Sequence, residues 1–262
     1  MKLVFHKYQG TGNDFIILDN RSGEYNALST KQVHFLCDRR FGIGADGLML
    51  LNAKEGYDFE MIYYNSDGSQ STMCGNGGRC IVKFASQIGI HKYSYRFLAI
   101  DGVHEAEIDK NIVRLKMNDV TSVEEHPSYA VLNTGSPHFV KFASDVENID
   151  VVETGRDIRN SKAYAEEGIN VNFVENISED EIFVRTYERG VEDETFSCGT
   201  GVTAAALVAA VKGIATGKNT CLIKTKGGML EVSFEKVLEQ NFYNIWLKGP
   251  AVSVFKGTIS LE

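Results

Sequence analysis

The chain contains Tyr64-Asn-Ser-Asp-Gly-Ser-Gln-Ser-Thr-Met-Cys74-Gly-Asn-Gly and, further on, Tyr187-Glu-Arg-Gly-Val-Glu-Asp-Glu-Thr-Phe-Ser-Cys198-Gly-Thr-Gly, and the two stretches align with each other. In each, a strand-like run that ends in tyrosine leads through a polar turn to the pattern Cys-Gly-x-Gly. An apolar segment follows in both copies, 80–88 in the first and 202–211 in the second. A supersecondary unit that recurs in this way indicates two duplicated halves.

Short strand-like runs dominate the rest of the chain, several with the two-residue alternation of a half-buried strand. Examples are 59–64, 112–117, 182–187, 229–234 and the terminal segment 252–261. Helical patterns are fewer: the apolar segments after the two cysteines, and 30–40, which Ser29 or Thr30 can cap. Segment 202–211 is apolar on every side, as expected for a helix enclosed by a sheet. We therefore predict an α+β protein of two similar, duplicated domains, each a strand-rich, barrel-like sheet around a central apolar helix.

The repeat also predicts where the two domains divide. Residues 1–118 would form the N-terminal domain and residues 119–251 the C-terminal domain, with the boundary in the polar stretch 118–127. The terminal segment 252–262 alternates like a strand and would return to the N-terminal domain.

Charge and hydropathy limit the classes of partner. The 262 residues carry a formal net charge of −8 and no cluster of lysine or arginine, which argues against a nucleic-acid partner. His6 and Lys7 interrupt the apolar run at the N-terminus, and the longest apolar stretch, 201–211, is too short to cross a bilayer. We expect a cytoplasmic protein without a membrane contact.

The five cysteines fall into two groups. Their odd number and the lack of secretory features argue against a disulfide framework. The sequence also lacks a C-x-x-C pair, which would have suggested a metal site. Cys37, Cys80 and Cys221 are expected to be buried and inert. Cys74 and Cys198 each precede a glycine-rich turn that opens a predicted helix, where free N–H groups favour an anion. We expect these two thiols to have lowered pKa values.

Two such thiols on duplicated domains suit one reaction. Inversion of a carbon centre by proton transfer needs a base on one face of the carbon and an acid on the other. A thiolate and a thiol can fill both roles, and approximate twofold symmetry between the domains would make them face each other. The N–H groups at the helix starts would also bind the substrate carboxylate.

Two other glycine motifs are candidates for binding loops. Gly42-Ile-Gly-Ala-Asp-Gly47 matches the dinucleotide fingerprint, but a helical pattern precedes it and strand-like residues follow, which reverses the required order. A tight turn is predicted there. Gly10-Thr-Gly-Asn-Asp-Phe15 could be a simple turn, although the amide of Asn13 could also contact an amino acid, because it both donates and accepts hydrogen bonds.

The motifs together resemble those of the diaminopimelate epimerase family, in the same order and over nearly the whole chain. The matching motifs are Gly12-Asn-Asp-Phe15, Tyr64-Asn-Ser-Asp-Gly68, Cys74-Gly-Asn-Gly77, Pro137-His138, Asn170, Tyr187-Glu-Arg-Gly190, Cys198-Gly-Thr-Gly201 and Gly249-Pro-Ala-Val252. The resemblance implies an enzyme that interconverts LL- and meso-diaminopimelate in lysine and peptidoglycan precursor biosynthesis. It also implies a homodimer that needs no cofactor.

The resemblance assigns roles to the residues at matching positions. It implies that Cys74 and Cys198 are the catalytic bases and that His138 and Glu188 assist the thiols. The implied substrate contacts are Asn13, Asn65, Asn170, Glu188 and Arg189, with Gly75, Asn76, Gly199 and Thr200 in the two anion-binding turns. No residue is assigned to a metal.

The chain departs from the family pattern at two positions. Gly47 stands where many members carry glutamine, and Ser136 stands where many carry asparagine before Pro-His. The resemblance places both near the distal part of the substrate, so the shape of that pocket is left open.

Two other functions remain as alternatives. A proline or hydroxyproline racemase of the same fold would use the same two cysteines, but the charged pair Glu188 and Arg189, expected to be buried, suits a substrate with a second amino-acid head group. A binding or redox protein with a switchable disulfide between Cys74 and Cys198 is the alternative outside the enzymes.

Overall fold

The chain divides into two compact units in the computed structural model, which describes residues 1–215 and 219–261. Unit 1 comprises Met1–Leu115 and Pro250–Glu262, and unit 2 comprises Lys116–Gly249.

Unit 1 is rich in strands and has two helices among its described residues. Its elements are β1 (Lys2–Gly10), β2 (Asn13–Asp19), α1 (Thr30–Cys37), β3 (Gly47–Asn52), β4 (Glu60–Asn65), β5 (Gln70–Ser71), α2 (Gly75–Gln87), β6 (Ser94–Ala99), β7 (Gly102–Asp109) and β8 (Ile112–Lys116), completed by the strand Val252–Ser260.

Unit 2 repeats this order of elements. It comprises β9 (Glu124–Glu125), β10 (Ala130–Asn133), β11 (Pro137–Phe142), a 3-10 turn (Val146–Asn148), α3 (Val151–Arg159), β12 (Asn170–Ser178), β13 (Glu181–Glu188), β14 (Asp193–Thr195), α4 (Gly199–Val211), β15 (Thr220–Thr225), β16 (Gly228–Leu238) and β17 (Asn241–Pro250). The strand Val252–Ser260, which belongs to unit 1, is β18.

The two units share one pattern of strand pairing. In unit 1, β2 is antiparallel to β1 and parallel to β3, and β4 is antiparallel to β3 and β5 and parallel to β6. In unit 2, β11 is antiparallel to β10 and parallel to β12, and β13 is antiparallel to β12 and β14 and parallel to β15. The predicted duplication and fold class are confirmed.

Each sheet surrounds its own central helix. Helix α2 contacts β1, β2, β3, β7 and β18, and helix α4 contacts β10 to β13, β15 and β16. Residues 201–210 of α4 are all buried, because the sheet covers every side of this apolar helix. The predicted enclosure of both helices is correct.

Both central helices begin earlier than the sequence predicted. The glycines after each cysteine belong to the first helical turn rather than to a preceding turn, and Cys74 and Cys198 are the N-cap residues. Glycine is a poor helix former, yet here its lack of a side chain permits close packing. A Cβ on Gly201, for example, would lie 2.4 Å from Oδ1 of Asn172.

Helices α1 and α3 pack outside the two sheets. Ser29 caps α1 in a capping box with Gln32, as the sequence allowed, but the helix ends at Cys37 instead of residue 40. Asp38 is extended, and its Oδ1 accepts hydrogen bonds from the N–H groups of Arg40 and Phe41 at 2.7 Å, which replaces a further helical turn. Helix α3 was not predicted, although Asp150 caps it.

Two chain segments far apart in sequence complete unit 1. Strand β18 runs antiparallel to β1 from Lys2↔Ser260 to Gln9↔Val252.

The glycine motif at 42–47 forms the predicted turn, with Gly44 at φ +82°, and leads directly into β3. No helix follows the glycines, so this motif lacks the context of a dinucleotide site.

Candidate active site

The residues assigned by the resemblance lie at matching places in the two duplicated sheets, around the start of each central helix. In unit 1, Asn13 begins β2, Asn65 ends β4 and Cys74 caps α2. In unit 2, Asn170 begins β12, Glu188 ends β13 and Cys198 caps α4, while His138 is the second residue of β11. Each unit thus gathers its own set of polar groups around one thiol.

Asn13 connects the thiol of unit 1 to the surrounding polar groups. Its Nδ2 donates to Oδ2 of Asp46 at 2.6 Å. Its Oδ1 accepts from Nδ2 of Asn76 at 3.2 Å and lies 3.6 Å from Sγ of Cys74. Asn76 is buried, and its own Oδ1 accepts from Nη2 of Arg79 at 3.0 Å. These contacts fix which side of the Asn13 amide faces the sulfur.

A cluster of ion pairs lies beside Asn13 and includes Asp46, its hydrogen-bond partner. The carboxylate of Asp14 contacts Nζ of the buried Lys7 and Nη2 of Arg39, both at 2.7 Å, and Arg39 also contacts Asp46. Burial opposes ionisation of Asp14, but hydrogen bonds from Arg39 and Lys7 outweigh it and lower its pKa to about 2. The sequence reasoning missed this cluster, although Asp14 and Asp46 lie inside the two glycine motifs.

Asn65 and Gly47 are paired across neighbouring strands at the same edge of unit 1. Nδ2 of Asn65 reaches Oγ of Ser69 at 3.5 Å. A Cβ on Gly47 would lie 2.5 Å from the Tyr63 ring and 2.6 Å from the carbonyl oxygen of Tyr64. The Tyr63 side chain therefore occupies the space that a larger residue at position 47 would need.

Ser136 is the centre of the polar cluster in unit 2. Its Oγ lies 3.0 Å from Nε2 of His138, 3.1 Å from Nδ2 of Asn170 and 3.2 Å from Oγ1 of Thr200. Thr200 in turn lies 3.5 Å from Sγ of Cys198, measured from its Oγ1. The sequence identified His138, Asn170, Thr200 and Cys198 but treated Ser136 only as a departure from the family pattern.

His138 is completely buried. This burial, followed by the positive charge of Arg189, lowers its pKa to about 3. The imidazole is therefore neutral at ordinary pH, and contacts through Ser136 and Thr200 connect it to Cys198.

Glu188 and Arg189 end β13 and begin the turn after it. Both side chains are partly exposed, so the expectation of a buried charged pair is wrong. The N–H of Arg189 donates to Oδ1 of Asn170 at 2.9 Å, and its Nη1 donates to the carbonyl oxygen of Glu167 at 2.8 Å. The turn thus holds Arg189 beside Asn170.

The first turns of α2 and α4 supply backbone donors beside the thiols. Gly75 and Asn76 follow Cys74, and Gly199 and Thr200 follow Cys198, so their N–H groups are among those that lack a partner within a helix. Such groups, together with the helix dipole, attract a carboxylate.

The other three cysteines are buried in the cores of the two units. Burial raises the pKa of the Cys37, Cys80 and Cys221 thiols to about 12 in each case. Cys74, by contrast, is partly exposed, whereas Cys198, at 6% exposed, is also buried. The three thiols with raised pKa values are poor nucleophiles or bases, because the thiolate is the reactive form.

Within residues 1–215 and 219–261, no group of three or more His, Cys, Asp or Glu side chains is placed to hold a metal ion. Among the same residues, no helix has the length and apolar character needed to span a bilayer.

Comparison with known proteins gives consistent results for the whole chain. The family model for diaminopimelate epimerase matches residues 5–123 and 130–254. A diaminopimelate epimerase of Flavobacterium psychrophilum is 54% identical over 99% of this chain and 100% of its own length. One from Chlorobaculum tepidum is 44% identical over 96% of this chain and 99% of its own length.

Solved structures show how widely the fold is shared. A phenazine biosynthesis protein of the PhzF family from Bacillus anthracis superposes with a TM-score of 0.78 at 13% identity, covering 100% of both chains. A hydroxyproline epimerase from Agrobacterium vitis gives 0.70 at 13% identity, covering 98% of this chain and 91% of its own. Identities this low establish the fold alone, whereas the family model and the close relatives show that this chain belongs to the diaminopimelate epimerase family of enzymes.

Proposed function

We propose that this chain interconverts LL- and meso-diaminopimelate, in the synthesis of lysine and peptidoglycan precursors, by proton transfer between two cysteines and without a cofactor. One observation carries the proposal: Cys74 and Cys198 cap the two central helices at the same point of a duplicated fold. Duplication is the simplest way to supply the same acid–base group twice.

The proposed reaction is a proton exchange with no net oxidation. One cysteine, as thiolate, removes the α-proton, and the other, as thiol, donates its proton to the opposite face of the same carbon. The substrate carboxylate takes up the electron pair in between, and the N–H groups at the starts of α2 and α4 stabilise the added charge. Each turnover leaves the thiolate and the thiol exchanged, ready for the reverse reaction.

The partly exposed charges of unit 2 support a substrate with two amino-acid head groups. Glu188 can accept from an ammonium, and Arg189 can bind a carboxylate with its planar fork. Asn13, Asn65 and Asn170 add amides that donate to a carboxylate and accept from an ammonium. The family resemblance also supports a cytoplasmic homodimer.

The proposal is tested first by removal of each thiol. Reduced protein without added cofactor is expected to epimerise LL-diaminopimelate, while Cys74→Ala and Cys198→Ala lower kcat by at least about 10³-fold, as expected when an acid–base group is lost. Cys37→Ala and Cys221→Ala serve as controls and should retain most activity. Substantial turnover by either of the first two variants would exclude the two-base mechanism, and preferred turnover of proline or hydroxyproline would assign a different substrate.

The path of the proton gives a second test, with the reaction run in heavy water. A two-base enzyme should place deuterium at the inverted carbon of the first-formed meso product, while unreacted LL substrate keeps its hydrogen. The reverse reaction should give the same pattern. Early product that retains the substrate hydrogen would instead indicate a single base that returns the proton it removed.

A further inference from the structure

A chain of hydroxyl groups joins a buried histidine to one of the two thiols. It runs from Nε2 of His138 to Oγ of Ser136 at 3.0 Å, on to Oγ1 of Thr200 at 3.2 Å, and ends at Sγ of Cys198 at 3.5 Å. Each hydroxyl can either donate or accept, so the direction of the chain depends on the groups that surround it.

Asn172 determines which ring nitrogen of His138 carries the proton. Its Nδ2 contacts the carbonyl oxygen of Phe139 at 3.0 Å and Nδ1 of His138 at 3.1 Å, while its Oδ1 accepts from Thr186. A carbonyl oxygen only accepts, so the atom facing it must be the amide nitrogen, and this nitrogen also donates to Nδ1 of His138. The neutral imidazole then carries its proton on Nε2 and donates it to Ser136.

Asn170 fixes the proton of the serine in the same way. Its Oδ1 accepts from the N–H of Arg189 at 2.9 Å, and its Nδ2 donates to the carbonyl oxygen of Pro137 and to Oγ of Ser136, both at 3.1 Å. The Ser136 oxygen therefore accepts two hydrogen bonds, from His138 and Asn170, and uses both of its lone pairs. Its own proton is left to donate to Thr200.

The last hydroxyl of the chain points its proton at the sulfur. Since Oγ1 of Thr200 accepts from Ser136, its proton is available for Cys198. A hydrogen bond donated to a sulfur stabilises its charged form. In unit 1 the described contact has the opposite sense, because the Asn13 oxygen that faces Cys74 can only accept.

We infer that Ser136 is a positioning residue, which orients the Thr200 hydroxyl so that it donates to Cys198 and stabilises the thiolate there. The inference rests on the proposed function for its role in catalysis, but the hydrogen-bond chain can be tested without turnover. It also assigns His138 to the chain as a neutral donor that holds Ser136.

Other charged groups of unit 2 lie on the strands whose ends hold the candidate site residues. They are His138 on β11, Glu188 and Arg189 at the end of β13, and Glu194 on β14, which pairs with the end of β13 and contacts Arg185 and Lys226. Substitution of Ser136 or Thr200 leaves all of these groups in the chain. A change in the ionisation of Cys198 in such variants would therefore report the hydroxyl chain.

The experiment measures how fast iodoacetamide alkylates each cysteine of the reduced, ligand-free enzyme as a function of pH, with Cys74 and Cys198 quantified separately by peptide mass spectrometry. Thr200→Val and Ser136→Ala should slow alkylation of Cys198 at neutral pH by about fivefold to tenfold, the factor expected for one lost hydrogen bond, and should move its midpoint to higher pH. The Cys74 profile, read in the same samples, should not move. Thr200→Ser keeps the hydroxyl and should restore the native profile.

Thr134→Val is the matched control, because the Thr134 hydroxyl donates to the backbone carbonyl of Thr200 at 2.9 Å but lies outside the chain. It should leave the Cys198 profile unchanged. Native profiles in both Thr200→Val and Ser136→Ala would overturn the inference, and so would an equal shift in Thr134→Val. If Thr200→Val or Ser136→Ala lost epimerase activity, a shifted Cys198 profile with an unshifted Cys74 profile would still support the inference. If the native enzyme itself proved inactive while the variants showed these shifts in the Cys198 profile, only the proposed function would be refuted.

Discussion

Asp14 controls the surroundings of Asn13 although it carries none of the proposed chemistry. Its carboxylate is held between Lys7, which is buried, and Arg39, which is largely exposed. Loss of the negative charge would leave the Lys7 ammonium without this partner in a poorly solvated place. The stability of this corner of unit 1 should therefore depend on pH.

Asp14→Asn should destabilise the protein by about 1 kcal/mol at pH 6, a value reduced for solvent screening. The folded-state pKa of Asp14, about 2, lies below its ordinary value of 3.8, so the stabilisation is complete above about pH 4 and is lost as the pH falls towards 2. Urea unfolding of the native protein and of Asp14→Asn at several pH values should show that the difference between their free energies of unfolding becomes smaller as the pH falls from about 4 towards 2. Glu55→Gln, at an exposed carboxyl, is the control; a difference that does not change with pH would contradict the assigned ion cluster.

Single residues also show the limits of reading the site from sequence. Cys74 and Cys198 were identified because the repeat and the glycines are local patterns. The role of Ser136 could not be predicted, because it depends on contacts with Asn170 and Thr200, which are distant from it in sequence. The exposure of Glu188 and Arg189 could not be inferred either, because it depends on how the turn after β13 leaves the sheet.

At the scale of elements, the first turns of α2 and α4 have the same sequence pattern but different packing. A Cβ on Gly201 would lie 2.4 Å from Oδ1 of Asn172, the residue that orients His138. A Cβ on Gly77, the equivalent glycine of α2, would first meet the flexible Met49 sulfur at 3.3 Å. The start of α4 is therefore much less tolerant of a side chain.

Gly201→Ala should lower the free energy of unfolding by about 1–3 kcal/mol, the usual cost of overpacking, and should reduce activity because Asn172 must move. Gly77→Ala should change stability by less than about 1 kcal/mol, since alanine also favours the helix. Thermal unfolding and epimerase assays of the two variants provide the comparison. Equal effects in both helices would show that the contact with Asn172 is not the cause.

The elements found from sequence are those whose pattern is local and strong. The alternation in 252–261 and the apolar run 202–211 predicted a strand and a buried helix, and both exist. The helix starts were misplaced because glycines are ordinarily read as breakers, while burial beside the strands overrides that preference here. Helix α3 was missed because its nine residues include only three large apolar side chains, Val151, Val152 and Ile158, and only Val151 and Gly155 are fully buried.

At the scale of the whole molecule, unit 1 depends on the pairing of its first and last strands. Gly257 on β18 lies opposite Phe5 on β1, and a Cβ there would lie 2.8 Å from the Phe5 ring. Since Phe5 is buried, its ring has little freedom to move aside. A branched side chain at position 257 should loosen this pair of strands.

Gly257→Val should therefore destabilise unit 1 by about 1–3 kcal/mol while leaving unit 2 nearly unaffected. Hydrogen exchange followed by mass spectrometry should show faster exchange in β1 and β18 and unchanged exchange in α4. Thr258→Val, at the neighbouring exposed position opposite Val4, is the control and should exchange like the native protein. Uniformly faster exchange in both units would mean that they unfold as one cooperative body.

Unit 1 is formed by two separate segments of the chain, and this has a consequence for synthesis on the ribosome. Strand β1 is translated before unit 2, but its partner β18 is translated only after the whole of unit 2. During that interval one edge of β1 lacks its partner, and Leu3 and Phe5, which are buried in the finished fold, lack part of their cover. An unpaired strand edge with apolar side chains is a site for aggregation and for chaperone binding, so β1 is a segment that needs protection during translation.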